Sequence, residues 1–174
     1  MRKTIVVYRS KSGFTKKYAE LIAKETGADI AEGKVRLSRL QLYDTVVFGG
    51  GLYISGIGGA GFIQRCIDAL SGKRIIVFAQ GASPLREGIE DEIRDKNFSA
   101  EQQSKIQFFL LRGGFDFAKL PPFYKVLMSL MKRRLQRTKE PTADERGMLA
   151  AYDTPVDFVS EKMAAPVIEA IKEA

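Results

Sequence analysis

Short apolar runs alternate with segments of helical periodicity along this chain. Four runs dense in β-branched and aromatic residues predict buried strands, namely Thr4–Tyr8, Thr45–Phe48, Arg74–Ala79 and Ile106–Leu111. A weaker strand is predicted near Ala28–Ala31. Because the runs do not alternate polar with apolar positions, they are typical of a parallel sheet covered on both faces.

Between these strands, apolar residues recur every three or four positions, which indicates amphipathic helices. Gly27 is expected to stop the first helix, and Thr154 with Pro155 to start the last one. The predicted helices cover Thr15–Lys24, Phe62–Leu70, Glu90–Lys105 and the segment from Thr154 to the end. The alternation predicts a single α/β domain over residues 1–174, a doubly wound five-stranded parallel sheet with helices on both faces.

One segment exceeds this plain alternation. Residues 112–152, after the fifth predicted strand, are too many for a bare connection and predict a helical insertion. Within it a Pro121-Pro122 start precedes an apolar stripe, with further apolar residues beside it and a basic end. The stripe is Leu120, Tyr124, Leu127, Met131 and Leu135, flanked by Phe123, Val126 and Leu130 and followed by a Lys-Arg-Arg run, Arg137 and Lys139. Such a helix suits a membrane surface or a partner, or packs on the domain's own core.

The composition excludes several kinds of catalytic and metal-binding site. The chain has no histidine, which excludes a Ser-His-Asp triad, a Cys-His dyad and histidine metal ligands. Its single cysteine, Cys66, cannot form an intrachain disulfide, which favours a reducing compartment. The first apolar run is too short for a signal-peptide core, so we expect a cytoplasmic protein. The uncharged stretch Thr45–Gln64 is crowded with glycines, which argues against a membrane span.

The net charge is +7, from 28 Lys and Arg against 21 Asp and Glu. This balance favours an anionic partner such as a phosphorylated ligand or an acidic membrane surface. The basic residues are dispersed and no nucleic-acid reading motif is visible, so no nucleic-acid partner is expected.

The segment Ser10–Thr15 (SKSGFT) directly follows the first strand and leads into the first helix. Its three hydroxyl residues surround Gly13, which permits a tight turn, while the free amides of the following helix favour an anion. The spacing fits neither a Walker loop nor a dinucleotide fingerprint. The simpler alternative is that Ser12 or Thr15 only caps the helix. The position of this segment directly after the first strand of a doubly wound sheet favours the other interpretation, a mononucleotide phosphate site.

This segment resembles the phosphate loop of flavodoxins, and Tyr43–Gly56 (YDTVVFGGGLYISG) resembles their third strand and flavin loop. The resemblance implies an FMN cofactor that carries the redox chemistry, with no catalytic side chain and no metal. It implies phosphate binding by Ser10, Lys11, Ser12, Gly13, Phe14 and Thr15. It also implies that the isoalloxazine is bordered by Gly50, Gly51, Leu52 and Tyr53 and by a second loop of Gln80, Gly81, Ala82 and Ser83.

The insertion "LLRGGFDFAKLPPFYKVLMSLMKRR" is similar in position and character to that of bacterial menaquinone-dependent protoporphyrinogen oxidases. That resemblance implies a porphyrinogen substrate, a quinone acceptor and peripheral contact with the inner face of the membrane through residues 120–139. The chain departs from typical flavodoxins in being basic and in lacking an aromatic residue in the second flavin loop. The open alternatives are a non-enzymatic electron carrier and a flavin-free regulatory or binding module of the same fold.

Overall fold

The computed structural model describes residues 2–53 and 56–173. Its main sheet has five parallel strands in the order β2-β1-β3-β5-β6, with the short strand β4 antiparallel to the end of β3. The strands are β1 (Thr4–Arg9), β2 (Asp29–Glu32), β3 (Thr45–Tyr53), β4 (Gly56–Ile57), β5 (Arg74–Gly81) and β6 (Gln107–Arg112). The predicted α/β fold is confirmed, since this order of parallel strands is that of flavodoxin-like sheets.

Helices cover both faces of the sheet, as the apolar strands require. Helices α1 and α8 pack on one face around Tyr18 and Val167, while α3 and α4 pack on the other around Ile63 and Ile93. The helices are α1 (Phe14–Thr26), α2 (Leu37–Leu40), α3 (Ala60–Cys66), α4 (Ile89–Asn97), α5 (Ala100–Gln103), α6 (Pro122–Gln136), α7 (Ala143–Asp153) and α8 (Glu161–Lys172). Gly27 ends α1 in a left-handed conformation, as predicted.

The prediction of one helix over Glu90–Lys105 is wrong at its centre. Phe98 has extended backbone angles and separates α4 from α5. Its ring is buried against Phe108, and Ser99 starts the next helix through a reciprocal capping box with Gln102. Burial of one aromatic ring and a strong N-cap therefore break the helical pattern.

The predicted start of the last helix at Thr154 is also wrong. Thr154 is extended and ends α7, and the strand β8 (Val156–Asp157) pairs with β7 (Gly114–Phe115). Helix α8 begins after Ser160, whose hydroxyl accepts a hydrogen bond from the Met163 amide. The Thr-Pro pair does not start a helix here because Val156 pairs with Phe115 in β7. Local sequence patterns do not report such a long-range pairing.

The segment after β6 folds into β7, a short 3-10 turn (Phe117–Lys119), α6 and α7. Helix α6 begins at Pro122, as the double proline predicts. A third apolar cluster forms here, with Leu120, Met128 and Tyr152 buried and Tyr53 packed against it. Leu120 and Leu135 of the predicted stripe are buried, whereas the neighbouring Phe123, Val126 and Leu130 are 73%, 63% and 57% exposed. None of the described helices combines the length and apolar character that a membrane span requires.

Candidate functional site

The predicted phosphate loop joins β1 to α1 at the carboxyl edge of the sheet. Strand β1 lies between β2 and β3, because the connection after β1 runs to one side of it and the connection after β2 returns to the other side. The direction of strand order therefore reverses at β1, and doubly wound sheets bind ligands at such a switch point. Gly13 adopts φ 93°, a left-handed conformation that favours glycine. The Ser10 hydroxyl accepts a hydrogen bond from the Gly13 amide at 3.0 Å and holds the turn closed.

Helix α1 begins at this loop without a side-chain cap. Gly13 is its N-cap residue, and no side chain accepts a capping hydrogen bond there. The alternative in which Ser12 or Thr15 merely caps the helix is therefore not what the structure contains. The amides of the first turn and the positive end of the helix dipole remain available to an anion.

Gln80 connects the phosphate loop to the start of strand β7. Its side-chain nitrogen donates to the Thr15 hydroxyl at 3.2 Å, and its side-chain oxygen accepts from the Gly114 amide at 3.1 Å. Gln80 is 3% exposed and Thr15 is 1% exposed, so both are held inside the protein. A Cβ on Gly113 would lie 1.8 Å from the Gln80 oxygen, so only glycine fits beside this bridge. Gln80 therefore positions Thr15.

The glycine run at the end of β3 is part of the strand and allows close packing. A Cβ on Gly50 would lie 2.5 Å from the Ile57 side chain. A Cβ on Gly51 would lie 3.2 to 3.3 Å from Gln80, Tyr53 and Thr15. Neither glycine lines the cavity described below, so their observed role is to let neighbouring elements approach. Ile54 and Ser55, part of the same motif, lie outside the described residues.

Tyr53 lies between the phosphate loop and the insertion. Its hydroxyl lies beside the Lys11 backbone and the Ser12 side chain, which both favour its ionised form, and its ring centroid is 4.8 Å from that of Tyr124 on α6. The Lys11 ammonium lies 4.9 Å from the Tyr124 ring centroid. Burial, and then the neighbouring Tyr124, raise the pKa of Tyr53, so its hydroxyl stays protonated at neutral pH. The insertion thus covers the loop directly.

A cavity of about 470 Å³ opens beside Tyr53, over the carboxyl ends of β5 and β6. It falls within the size range of small-molecule sites. Its wall contains most of the predicted flavin-bordering residues, namely Leu52, Tyr53, Gln80, Gly81, Ala82 and Ser83, and one residue of the phosphate loop, Ser12. These two predicted groups therefore border one space.

The roof of the cavity was missed by sequence reasoning. It comes from the insertion, with three methionines, Met128 and Met131 on α6 and Met148 on α7. Methionine side chains fill irregular space and make favourable contacts with aromatic rings. The apolar stripe of α6 was the one available signal, but helical periodicity does not report which cavity a helix covers.

Arg112, at the end of β6, is the cationic residue in the cavity wall. Its guanidinium stacks over the Phe158 ring at 3.7 Å from the centroid. Its backbone oxygen accepts a hydrogen bond from the Tyr18 hydroxyl, and burial raises the pKa of Tyr18 to about 12, so that donor keeps its proton. The described residues contain no group of three or more His, Cys, Asp or Glu side chains able to hold a metal ion.

Comparison with protein families gives one match, to the flavodoxin domain, over residues 5–142 of this chain. The matched region includes the phosphate loop, the glycine run, Gln80 and most of the insertion. No curated protein matches the chain.

The solved structures that are similar to this chain are distant from it in sequence. A flavoprotein from Lactobacillus acidophilus NCFM in complex with FMN is 19% identical, with 64% of this chain and 93% of that chain covered and a TM-score of 0.42. A flavodoxin, WrbA-like protein from Agrobacterium tumefaciens is 16% identical over 99% of both chains, with a TM-score of 0.41. An NADH:FMN oxidoreductase in its apo form is 16% identical, covering 82% of this chain and 94% of its own, with a TM-score of 0.44.

Proposed function

Since the chain belongs to the flavodoxin family, we propose that it binds FMN between its phosphate loop and its insertion, and that it is an FMN-dependent oxidoreductase. The observation that carries this proposal is the uncapped start of α1 at a loop with three hydroxyl side chains, beside a cavity of suitable size. A phosphate at a helix N-terminus is stabilised by free amides and by the helix dipole.

The residues present fit such a cofactor. The hydroxyls of Ser10, Ser12 and Thr15 offer donors to phosphate oxygens. Leu52 and the loop after β5 contribute to a mostly apolar wall for an aromatic ring. The Tyr53 hydroxyl lies beside the Lys11 backbone and the Ser12 side chain, so it competes with a phosphate for the same part of the loop.

When bound, FMN supplies hydride and electron transfer, and the protein contributes position and electrostatics. In this arrangement Gln80 fixes the Thr15 hydroxyl, and Gly13 shapes the loop. The methionine roof over the cavity excludes water from one side of the site, which strengthens each polar contact inside it. No side chain is required as a general base.

We assign a quinone as the electron acceptor in this proposal, with a porphyrinogen-type molecule as a candidate donor. The support is the apolar cavity wall and roof, which suit a planar hydrophobic molecule. Such acceptors reside in membranes, which requires the protein to reach a lipid surface.

Helix α6 carries a face suited to that contact. Phe123, Val126 and Leu130 are exposed on successive turns, and Arg133, Arg134 and Arg137 continue the exposed surface toward the end of the helix. Apolar side chains followed by arginines match the interface of an anionic bilayer. We therefore propose peripheral membrane contact through residues 120–139.

The test of this function uses protein saturated with FMN and reduced photochemically without oxygen. Reoxidation is followed at 450 nm after addition of menadione, with ferricyanide as a control for general electron transfer. We expect rapid and saturable reoxidation by the quinone, repeated over many turnovers with an added donor. Reoxidation by ferricyanide but not by any quinone would contradict the quinone assignment and favour a non-enzymatic electron carrier.

A further inference from the structure

Arg112 presents a buried polar atom that the fold leaves without a partner. Its Nε is buried and makes no hydrogen bond, and none of the ion pairs among the described residues includes Arg112. An unsatisfied buried donor lowers stability, and most buried polar groups in proteins are paired. Within the described part of the chain, Arg112 lines the cavity with neither a hydrogen bond at Nε nor a carboxylate to balance its charge, and an anionic ligand in the cavity would supply that charge.

The phosphate of FMN is not the expected partner for this donor. Strand β6, which ends in Arg112, lies three strand positions from β1, which leads into the phosphate loop. At about 4.8 Å per strand spacing, the ends of these two strands are separated by roughly 14 Å across the sheet, although the Phe14 ring of the phosphate loop lies beside Gly114. An acidic group other than the phosphate is therefore the partner that we expect for Arg112.

One contact holds the guanidinium, whose central carbon lies over the Phe158 ring. The backbone of Arg112 is fixed by the Tyr18 hydroxyl and by pairing with Gly81 in the sheet. A stacked guanidinium is pre-organised, so less conformational entropy is lost when it binds an anion. The walls around it include Leu110, Leu111 and Phe115, which favour an aromatic or otherwise apolar body on the same ligand.

We propose that Arg112 binds a carboxylate on an aromatic second ligand, the electron-donating or electron-accepting substrate. This proposal deepens the proposed function and rests on it for the ligand's role, but the anion-binding property of the cavity stands on the geometry of Arg112 alone. Arg112 thereby selects planar apolar molecules that carry an acidic group over neutral molecules of the same shape.

The test compares 2-naphthoate with 2-naphthamide, which share a ring system and differ in charge. Their dissociation constants are measured by isothermal titration calorimetry with the full chain, with and without saturating FMN. We expect the carboxylate to bind about tenfold more tightly or better. Arg112→Gln is expected to remove that preference, while Arg36→Gln, with the same loss of charge at an exposed position on the start of α2, retains it.

Equal affinities of the two probes in the unsubstituted protein would overturn the proposal, and this comparison holds even if Arg112→Gln fails to fold. A preference that survives in Arg112→Gln would also overturn it. A preference seen without FMN but lost when FMN is bound would assign Arg112 to the flavin itself and contradict a substrate role. Failure of FMN to bind would contradict the proposed function, while the naphthoate comparison would still decide the role of Arg112.

Discussion

The rings of Tyr53 and Tyr124 are in contact, 4.8 Å apart between centroids, which joins the end of strand β3 to the inserted helix α6 directly above the phosphate loop. Through this pair the loop, the strand and the insertion form one site. The hydroxyl of Tyr53 lies beside the Lys11 backbone and the Ser12 side chain. Tyr53 therefore occupies space next to groups that a bound phosphate also needs.

Tyr53→Phe is predicted to strengthen FMN binding. The substitution keeps the ring contact but removes the hydroxyl that competes with the phosphate, and one hydrogen bond gained by the phosphate is worth about 1 kcal/mol. We expect the dissociation constant, measured by quenching of FMN fluorescence, to fall by about two- to tenfold. Tyr124→Phe, which preserves the same ring contact, is the control and is expected to leave the affinity unchanged. Weaker binding in Tyr53→Phe would mean that the hydroxyl contributes to cofactor binding.

Gly113→Ala is predicted to destabilise the fold at the Gln80 bridge. The added methyl group would lie 1.8 Å from the Gln80 oxygen, which cannot move without losing the Gly114 amide. Overpacking of this kind lowers the free energy of unfolding by about 1 to 3 kcal/mol. Urea denaturation provides the measurement.

The control for that experiment is Gly147→Ala within helix α7. Apart from its chain neighbours and the backbone of its own helix, no atom among the described residues lies within 4 Å of the position its Cβ would take. Alanine is the better helix former, so stability is expected to rise by about 0.5 to 1 kcal/mol. Equal urea midpoints for both alanine variants would show that the space around Gly113 is not restricted.

The contact between Lys17 and Asp157 is predicted to make stability depend on pH. Partial burial opposes ionisation of Asp157, but hydrogen bonds from Lys17 and the Val159 amide outweigh it, so the pKa of Asp157 lies below its ordinary value. The resulting stabilisation is present above the unfolded-state pKa, about 3.9, and is lost as the pH falls through the lower folded-state pKa.

Asp157→Asn should accordingly reduce the free energy of unfolding at pH 7, measured by urea denaturation, by up to about 1 kcal/mol for a pair this exposed. The difference from the unsubstituted protein should shrink as the pH is lowered below about 3.9. A difference that grows on acidification would contradict this assignment of the pair.

The exposed face of α6 is predicted to carry membrane binding. Replacing Phe123, Val126 and Leu130 together by serine removes the apolar side chains available for insertion, each worth about 1.5 to 3 kcal/mol when fully buried. We expect sedimentation with phosphatidylglycerol-containing vesicles to be abolished while the FMN affinity is retained. Leu37→Ser with Leu42→Ser removes exposed leucines elsewhere and should leave vesicle binding intact. Retained sedimentation of the α6 variant would exclude this face as the membrane contact.

The sequence predicts those parts of the fold that depend on neighbouring residues. The strands, the turn at Gly13 and the proline start of α6 are encoded by local patterns, and the structure contains them. The break at Phe98 and the pairing of Val156 with Phe115 depend on long-range packing, which periodicity does not report. For the same reason the bridge from Gln80 to Thr15 was not predictable, although both residues were singled out as members of the site.

The most direct test of the central claim is an equilibrium titration of the purified protein with FMN, followed by flavin fluorescence and by the visible spectrum, alongside Thr15→Val. We predict a perturbed flavin spectrum, saturable quenching and at least tenfold weaker binding in Thr15→Val, because the hydroxyl is lost as a phosphate donor and Gln80 loses its acceptor. Thr138→Val, at an exposed position, should bind as the unsubstituted protein does. A flavin that keeps its free spectrum throughout, or an affinity unaffected by Thr15→Val, would contradict the assignment of this loop as the FMN phosphate site.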